Sequence, residues 1–177
     1  MNIQTQHGAA RTHLGTLIKG FEVAMVTSID AHGAIVGRPM TALEMDGNGA
    51  LWFFTQLHSA KTDQLAHVNV SFSSKSGATY VSISGQGEIN LDRERIEHLW
   101  TPFARPWFPE GPGSANLALL RFVPDSAEYW DAPHAKMVRM LAMAASVVAG
   151  RPIGLGENDT LDDLSAPPVS SEGVTLR

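Results

Sequence analysis

Three short stretches of this sequence carry residue types suited to binding chemistry. His58-Ser59-Ala60-Lys61 opens an expected short helix with Ser59 as its N-cap. A helix start presents unpaired N–H groups and a partial positive charge; Ser59 adds a hydroxyl and Lys61 a full charge, which is the chemistry of phosphate binding. Arg38, in a strand otherwise flanked by apolar residues, is a second cation, and Phe53-Phe54-Thr55 joins an apolar wall to a hydroxyl. Taken singly each has a plain structural explanation: a capped helix with a solvated lysine, a surface arginine, a pair of core phenylalanines. Taken in order they suit a flat, apolar-ringed, phosphorylated ligand.

Other chemistries lack their residues. With no cysteine among 177 residues there is no thiol nucleophile, disulfide, iron–sulfur cluster or zinc–thiolate site. There is no H-E-x-x-H, G-x-S-x-G or Walker glycine loop, and the seven histidines stand singly; His58 and His67, nine apart across a short helix, do not share a face. No metal site is expected, and no residue is assigned as a catalytic acid, base or nucleophile.

The positioning elements are mostly strands. Phe21, Val23, Met25, Thr27 and Ile29 alternate with Glu22, Ala24, Val26 and Ser28, a period of two, and Asp30-Ala31-His32-Gly33 reads as the turn of a hairpin. The second arm, residues 34–44, carries Arg38-Pro39 at its middle. Because proline donates nothing to a ladder, this strand is an edge, is bulged, or turns its backbone to something other than a neighbouring strand. Asp46-Gly47-Asn48-Gly49 is a further turn before the aromatic strand 51–55. The helix at Ser59 is expected to reach Val68, with Leu65 and Val68 as its apolar stripe.

Strands are expected over 70–74 and 79–89, the latter with Gly85 and Gly87 leaving room for curvature or close approach. Asp92 can cap a helix burying Ile96, Leu99 and Trp100 and stopping at Pro102. Residues 101–116, with four prolines and three aromatics, are too proline-rich for a helix and too aromatic for an inert linker. A sixth strand, 117–123, leads to Ala127-Glu128-Tyr129-Trp130-Asp131, and a last helix is expected from Pro133 to near Gly150. Six strands with short turns and few crossover helices predict a mainly β, α+β fold, a largely antiparallel barrel with flanking helices, and not a doubly wound sheet.

The length suits one core, placed at residues 1–155. Residues 156–177 hold five acids and a single base, have no aromatic, and are expected to form an acidic tail without fixed structure. The whole chain carries a net charge of -5, but the body is near neutral, so the charge does not oppose an anionic ligand. There is no basic excess for nucleic acid, and no apolar run of membrane-spanning or signal-peptide length. The expected setting is the cytoplasm.

The order of hairpin, Arg38-Pro39-Met40, Leu51-Trp52-Phe53-Phe54-Thr55 and Lys61, with Tyr80-Val81-Ser82-Ile83-Ser84-Gly85, Trp107-Phe108-Pro109 and Ala127-Glu128-Tyr129-Trp130, resembles the flavin-binding split barrel of the pyridoxamine 5'-phosphate oxidase-like superfamily, in its bacterial general stress protein branch. The resemblance covers residues 10 to 150. It implies a six-stranded antiparallel split β-barrel and a homodimer with an FMN, or FAD, in each of two clefts at the subunit interface. It further implies that Arg38, Pro39, Met40 and Thr41 face the ribityl chain and ring edge, that Phe54 and Thr55 line the flavin, and that Ser59 and Lys61 hold the phosphate. Trp107 and Trp130 are candidates to cover the ring or the dimer seam.

Three departures bear on activity. Pyridoxamine-phosphate oxidases proper carry a lysine where this chain has Leu43, an Arg-Lys pair where it has Ala60-Lys61, and an Arg-x-His ending that the acidic tail lacks. Oxidation of pyridoxamine phosphate is therefore not expected. Two readings stand: a flavin-dependent oxidoreductase of unknown substrate, reduced by a nicotinamide donor, and a flavin-binding protein that stores or senses the cofactor without turnover. Haem or a deazaflavin in the same barrel is a third; for haem, no histidine is convincingly placed as an axial ligand.

Overall fold

The computed structural model describes residues 1–57, 65–74, 79–131, 143, 146–147, 149, 157–162 and 164–165. Its elements are β1 (Asn2–Ile3), α1 (Ala9–Ile18), β2 (Val23–Ile29), β3 (Ile35–Met45), β4 (Leu51–Gln56), β5 (Val68–Ser73), β6 (Thr79–Asn90), α2 (Arg93–Leu99), β7 (Leu117–Asp131) and β8 (Glu157–Leu161). Two 3-10 turns, Pro102–Ala104 and Gly111–Gly113, lie between α2 and β7.

Six strands close a ring in the order β3-β2-β5-β6-β7-β4, with β4 returning to β3, and every neighbour in that ring is antiparallel. The expected split barrel is the observed fold. Its interior is filled by the inward alternation of the strands: Ala24 and Val26 from β2, Phe53 from β4, Val70 and Phe72 from β5, Val81 and Ile83 from β6, Phe122 and Tyr129 from β7. The turns match their residues. Asp30 Oδ1 accepts from the backbone of His32 and Ala34, Asp46 Oδ1 accepts from Asn48 and Ala50, and Gly33 and Gly49 take the positive φ these reversals need.

The ring is not evenly closed. β3 pairs with β2 from Ile35 to Thr41, but with β4 only from Ala42 to Met45, and a bulge falls between Ala42 and Glu44. β4 beyond Phe53 pairs with β7 alone. From that bulge outward the two strands part, which is the split in the barrel.

A second apolar cluster lies outside the barrel, where Trp52, Leu117 and Leu119 meet Ile96, Leu99 and Phe108, with Leu43, Phe54 and Trp100 at its margin. Asp92 caps α2 as expected, its Oδ1 accepting from the Glu94 and Arg95 backbones. The proline-rich segment is thus folded onto the barrel: Phe108 is its anchor, and Arg93 donates to the carbonyl oxygens of Pro112 and Ser114.

Three expectations are corrected. Val68 begins β5, so no helix from Ser59 extends to it; the barrel needs Val68 opposite Ser28 and Gly85. Leu117 to Asp131 is one strand, not a strand followed by a separate segment, with its only irregularity at Asp125, where Ser84 pairs Ser126 and Gly85 pairs Pro124. The tail expected to lack structure from residue 156 instead begins with β8, antiparallel to β7. Its few apolar residues suffice because they are well used: Leu164 is fully buried in the main core, its N–H reaches the carbonyl of bulged Asp125, and Arg11 donates to the carbonyl oxygens of Leu164 and Ser165. The rest of that tail lies outside the described residues, as does most of the helix expected from Pro133, of which Met143, Ser146, Val147 and Ala149 are helical. Among the described residues no helix is long and apolar enough to cross a membrane.

Candidate functional site

The parting of β3 and β4 leaves a cleft of about 410 Å³, a size typical of small-ligand sites. It is lined by Arg38 to Thr41 and Leu43 of β3, by Phe54, Thr55 and Gln56 of β4, and by Thr101, Phe103, Ala104, Trp107 and Phe108 of the proline-rich segment.

The backbone of the two parted strands is the cleft's main polar feature. In a strand, successive residues turn their N–H and C=O to opposite sides. The Ala42 N–H donates to Glu22, on the β2 side, so Met40 and Arg38 also turn that way, and Thr41 and Pro39 turn toward the cleft. This accounts for proline in the middle of a barrel strand: the donor it lacks would have faced the cleft and not β2. On β4 the Leu57 N–H donates to Asn116 beside β7, so Thr55 also faces β7, and Phe54 and Gln56 turn their peptide groups toward the cleft. A flat heterocycle entering here would meet donors and acceptors along both edges.

Side chains complete the site. Arg38 is paired across the ladder with buried Val26, so it projects from the inner face of the barrel at the place where that face is open. Leu43, Phe54 and Phe108 form the inner apolar wall, with Phe54 and Phe108 edge to face at 6.2 Å between centroids. Thr55 is 9% exposed. Among the described lining residues one is a cation and none is a carboxylate, a balance that suits an anionic ligand.

Beneath the bulge lies a polar cluster. Glu44, 1% exposed, is ion-paired with Arg95 of α2 and also accepts from Asn2 and Gln4. The Arg95 guanidinium lies 4.7 Å over the Trp52 ring, whose Nε1 donates to Asp46. These contacts tie α2 and β1 to the point where β3 and β4 separate.

Of the residues singled out in the sequence, Arg38, Pro39, Met40, Thr41, Phe54, Thr55 and Trp107 meet in this cleft. Trp130 does not line it: it pairs with Tyr80 and Asn158 at the end of β7 remote from Leu117–Leu119, the stretch that backs the site. Ser59 and Lys61 lie outside the described residues. Leu43, Gln56, Thr101, Phe103, Ala104 and Phe108 also line the cleft and are not among the sequence-predicted site residues; the aromatic excess over 101–116 is the available signal for Phe103 and Phe108.

A closed antiparallel barrel opened along one seam, with peptide edges and apolar walls facing each other across the gap, defines a split barrel with a ligand-sized cleft. The model of the family described as pyridoxamine 5'-phosphate oxidase like matches residues 9–153, and the chain belongs to that family. Protein bli-3 of Neurospora crassa is 25% identical over 152 residues, 78% of this chain and 73% of that protein. A general stress protein 26 from Jannaschia sp. CCS1 shares the fold at a TM-score of 0.68, with 24% identity over 86% of this chain and 98% of that one. The general stress FMN/FAD binding protein of Xanthomonas citri is 32% identical, with a TM-score of 0.57 over 69% of this chain and 88% of that one.

Proposed function

We propose that the protein binds FMN in the β3–β4 cleft and acts as a flavin-dependent oxidoreductase. The observation that carries this reading is the seam itself: two strand edges turn peptide groups toward one apolar-walled space whose described lining includes a cation and no acid. The residues fit the cofactor. Thr41, Phe54 and Gln56 would pair the ring edge through their backbone, Leu43, Phe54 and Phe108 would wall the ring, and Arg38 would meet the polar chain. Ser59 and Lys61, three and five residues beyond Gln56 in the chain, are assigned the phosphate. The flavin-binding relative from Xanthomonas citri supports the cofactor class.

Bound flavin supplies reversible uptake of an electron pair, and the chain's task is to hold it and exclude bulk water. A nicotinamide is the assigned donor, in a cytoplasmic setting. We assign a homodimer as the working form, because the outer face of β2 and β3 presents Val23, Met25, Ile29 and Ile35 to solvent at 53%, 45%, 42% and 78%. Sedimentation of the loaded protein at the 19.1 kDa of one chain would remove the dimer.

The test is a titration of the wild type and Lys61→Ala with FMN and with riboflavin. The wild type is expected to stay yellow after desalting, and the variant to lose at least about tenfold in FMN affinity, a single charge-assisted phosphate contact, with little change for riboflavin. Equal losses for both ligands remove Lys61 from the phosphate, and absence of flavin absorbance after saturation removes the reading altogether. Turnover is read by anaerobic mixing with NADH or NADPH. Bleaching well above the rate of free FMN is expected, whereas none favours storage or sensing of the cofactor.

A further inference from the structure

Phe54 is shared by two surroundings. It lines the cleft, and its ring also packs on Trp100, with centroids 5.7 Å apart and planes tilted by 53°. That spacing is direct ring-to-ring contact. Trp100 is not among the described lining residues but sits at the margin of the second core, so its indole stands one aromatic ring behind the cleft wall.

The indole is fixed in that place. Trp100 ends α2, its N–H donating to the Glu97 carbonyl, and α2 is held by the Asp92 cap, by buried Ile96 and Leu99, and by the pairing of Arg95 with Glu44. All of these contacts are made within one chain and do not depend on a second subunit. The other three tryptophans are placed differently. Trp52 lies under the guanidinium groups of Arg95 and Arg121, at 4.7 and 5.9 Å, and donates to Asp46. Trp107 lines the cleft directly, and Trp130 pairs with Tyr80 toward the other end of β7.

An indole is readily oxidised by one electron, whereas a phenyl ring is not. A flavin in its ground state is too weak an oxidant to take that electron, but absorption of blue light adds the energy that is missing. We infer that Trp100 is a one-electron donor to the light-excited flavin held in the cleft, acting across the Phe54 ring. One electron leaves the Trp100 indole and enters the flavin; in the dark it returns, so nothing is consumed and no proton has to move. The consequence is a bound flavin that falls back to its ground state before it can sensitise oxygen. This role rests on the flavin reading proposed above.

The experiment loads FMN at saturation into the wild type and into Trp100→Phe and Trp100→Tyr, each made with and without Trp107→Phe, which removes the indole that lines the cleft. Equilibrium dialysis measures the FMN held, and time-resolved emission measures the flavin fluorescence lifetime. Trp100→Phe is expected to lengthen the lifetime several-fold in the Trp107→Phe background, with FMN affinity little changed because Trp100 stands behind the wall. Trp100→Tyr keeps an oxidisable ring of nearly the size of Phe and is expected to restore most of the short lifetime, which a change in packing alone would not do. A transient indole radical after a laser flash is expected with Trp100 present and not in Trp100→Phe. An unchanged lifetime in Trp100→Phe, or equal lifetimes in the Phe and Tyr variants, would overturn the donor role while leaving FMN binding intact. A wild type that holds no FMN would sink the flavin reading, and the donor role with it.

Discussion

Gly85→Ala is expected to destabilise the barrel by about 3 kcal/mol, at the upper end of overpacking costs. A Cβ built at Gly85 would stand 2.2 Å from the Val123 carbonyl oxygen and 2.9 Å from Cζ of Phe122. Neither neighbour can yield cheaply. The carbonyl belongs to the backbone of β7 next to the bulge at Asp125, and Phe122 is fully enclosed in the main core. Gly87→Ala is the milder comparison, because there the tightest contacts, 3.0 Å to Leu120 Cδ1 and 3.3 Å to Leu65 Cβ, involve side chains. Urea unfolding of both variants is the measurement; a Gly85→Ala midpoint equal to that of wild type would refute the close-approach account of this glycine.

The second large effect concerns Glu44. Arg95→Met leaves its buried carboxylate without a counter-charge, a change that costs about 3 to 5 kcal/mol in comparable sites. Asn2 and Gln4 still donate to Glu44, so the lower end is expected. The double variant Arg95→Met, Glu44→Met removes both charges and is expected to recover much of the loss, since apolar replacement of a whole buried pair is often nearly neutral. A double variant no more stable than the single one would show that the pair is not the unit. Flavin affinity should fall in the single variant as well, because the cluster sits under the bulge from which the cleft opens.

Much of this architecture was legible in the residues. Strict alternation over 21–29 and 79–89 gave two strands that occupy Val23–Ile29 and Thr79–Asn90, and the aspartate-glycine turns and the Asp92 cap fell where their side chains dictate. Pro39 was the most informative single residue. A proline inside a barrel strand implied a backbone facing something other than a neighbour, and that side is the cleft.

What escaped has physical causes. Helix α1 buries only Leu14, Gly15 and Ile18, a stripe too narrow to stand out as helical periodicity. Strand β8, Glu-Asn-Asp-Thr-Leu, has almost no intrinsic strand preference and exists because β7 offers a ladder to it. The Glu44 cluster draws on residues 2, 4, 44 and 95, a juxtaposition that only the closed ring creates. Phe103 is not singled out by the residues around it, because composition marks a segment as aromatic without saying which ring faces outward.

The clasp formed by β8 bears on where this chain can be shortened. Along one side of β7, β4 covers Leu117 to Phe122 and β8 covers Ala127 to Asp131. A chain ending at residue 156 would keep all six strands of the ring, yet it would bare five residues of β7, Tyr129 and Trp130 among them, as an unguarded template for another molecule's strand. By pairing there, the short polar strand β8 occupies an edge that would otherwise be open to another molecule's strand, and a chain cut before it is expected to self-associate more readily, as sedimentation would show. The guard comes in addition to the internal contacts of the same segment, which buries Leu164 in the main core.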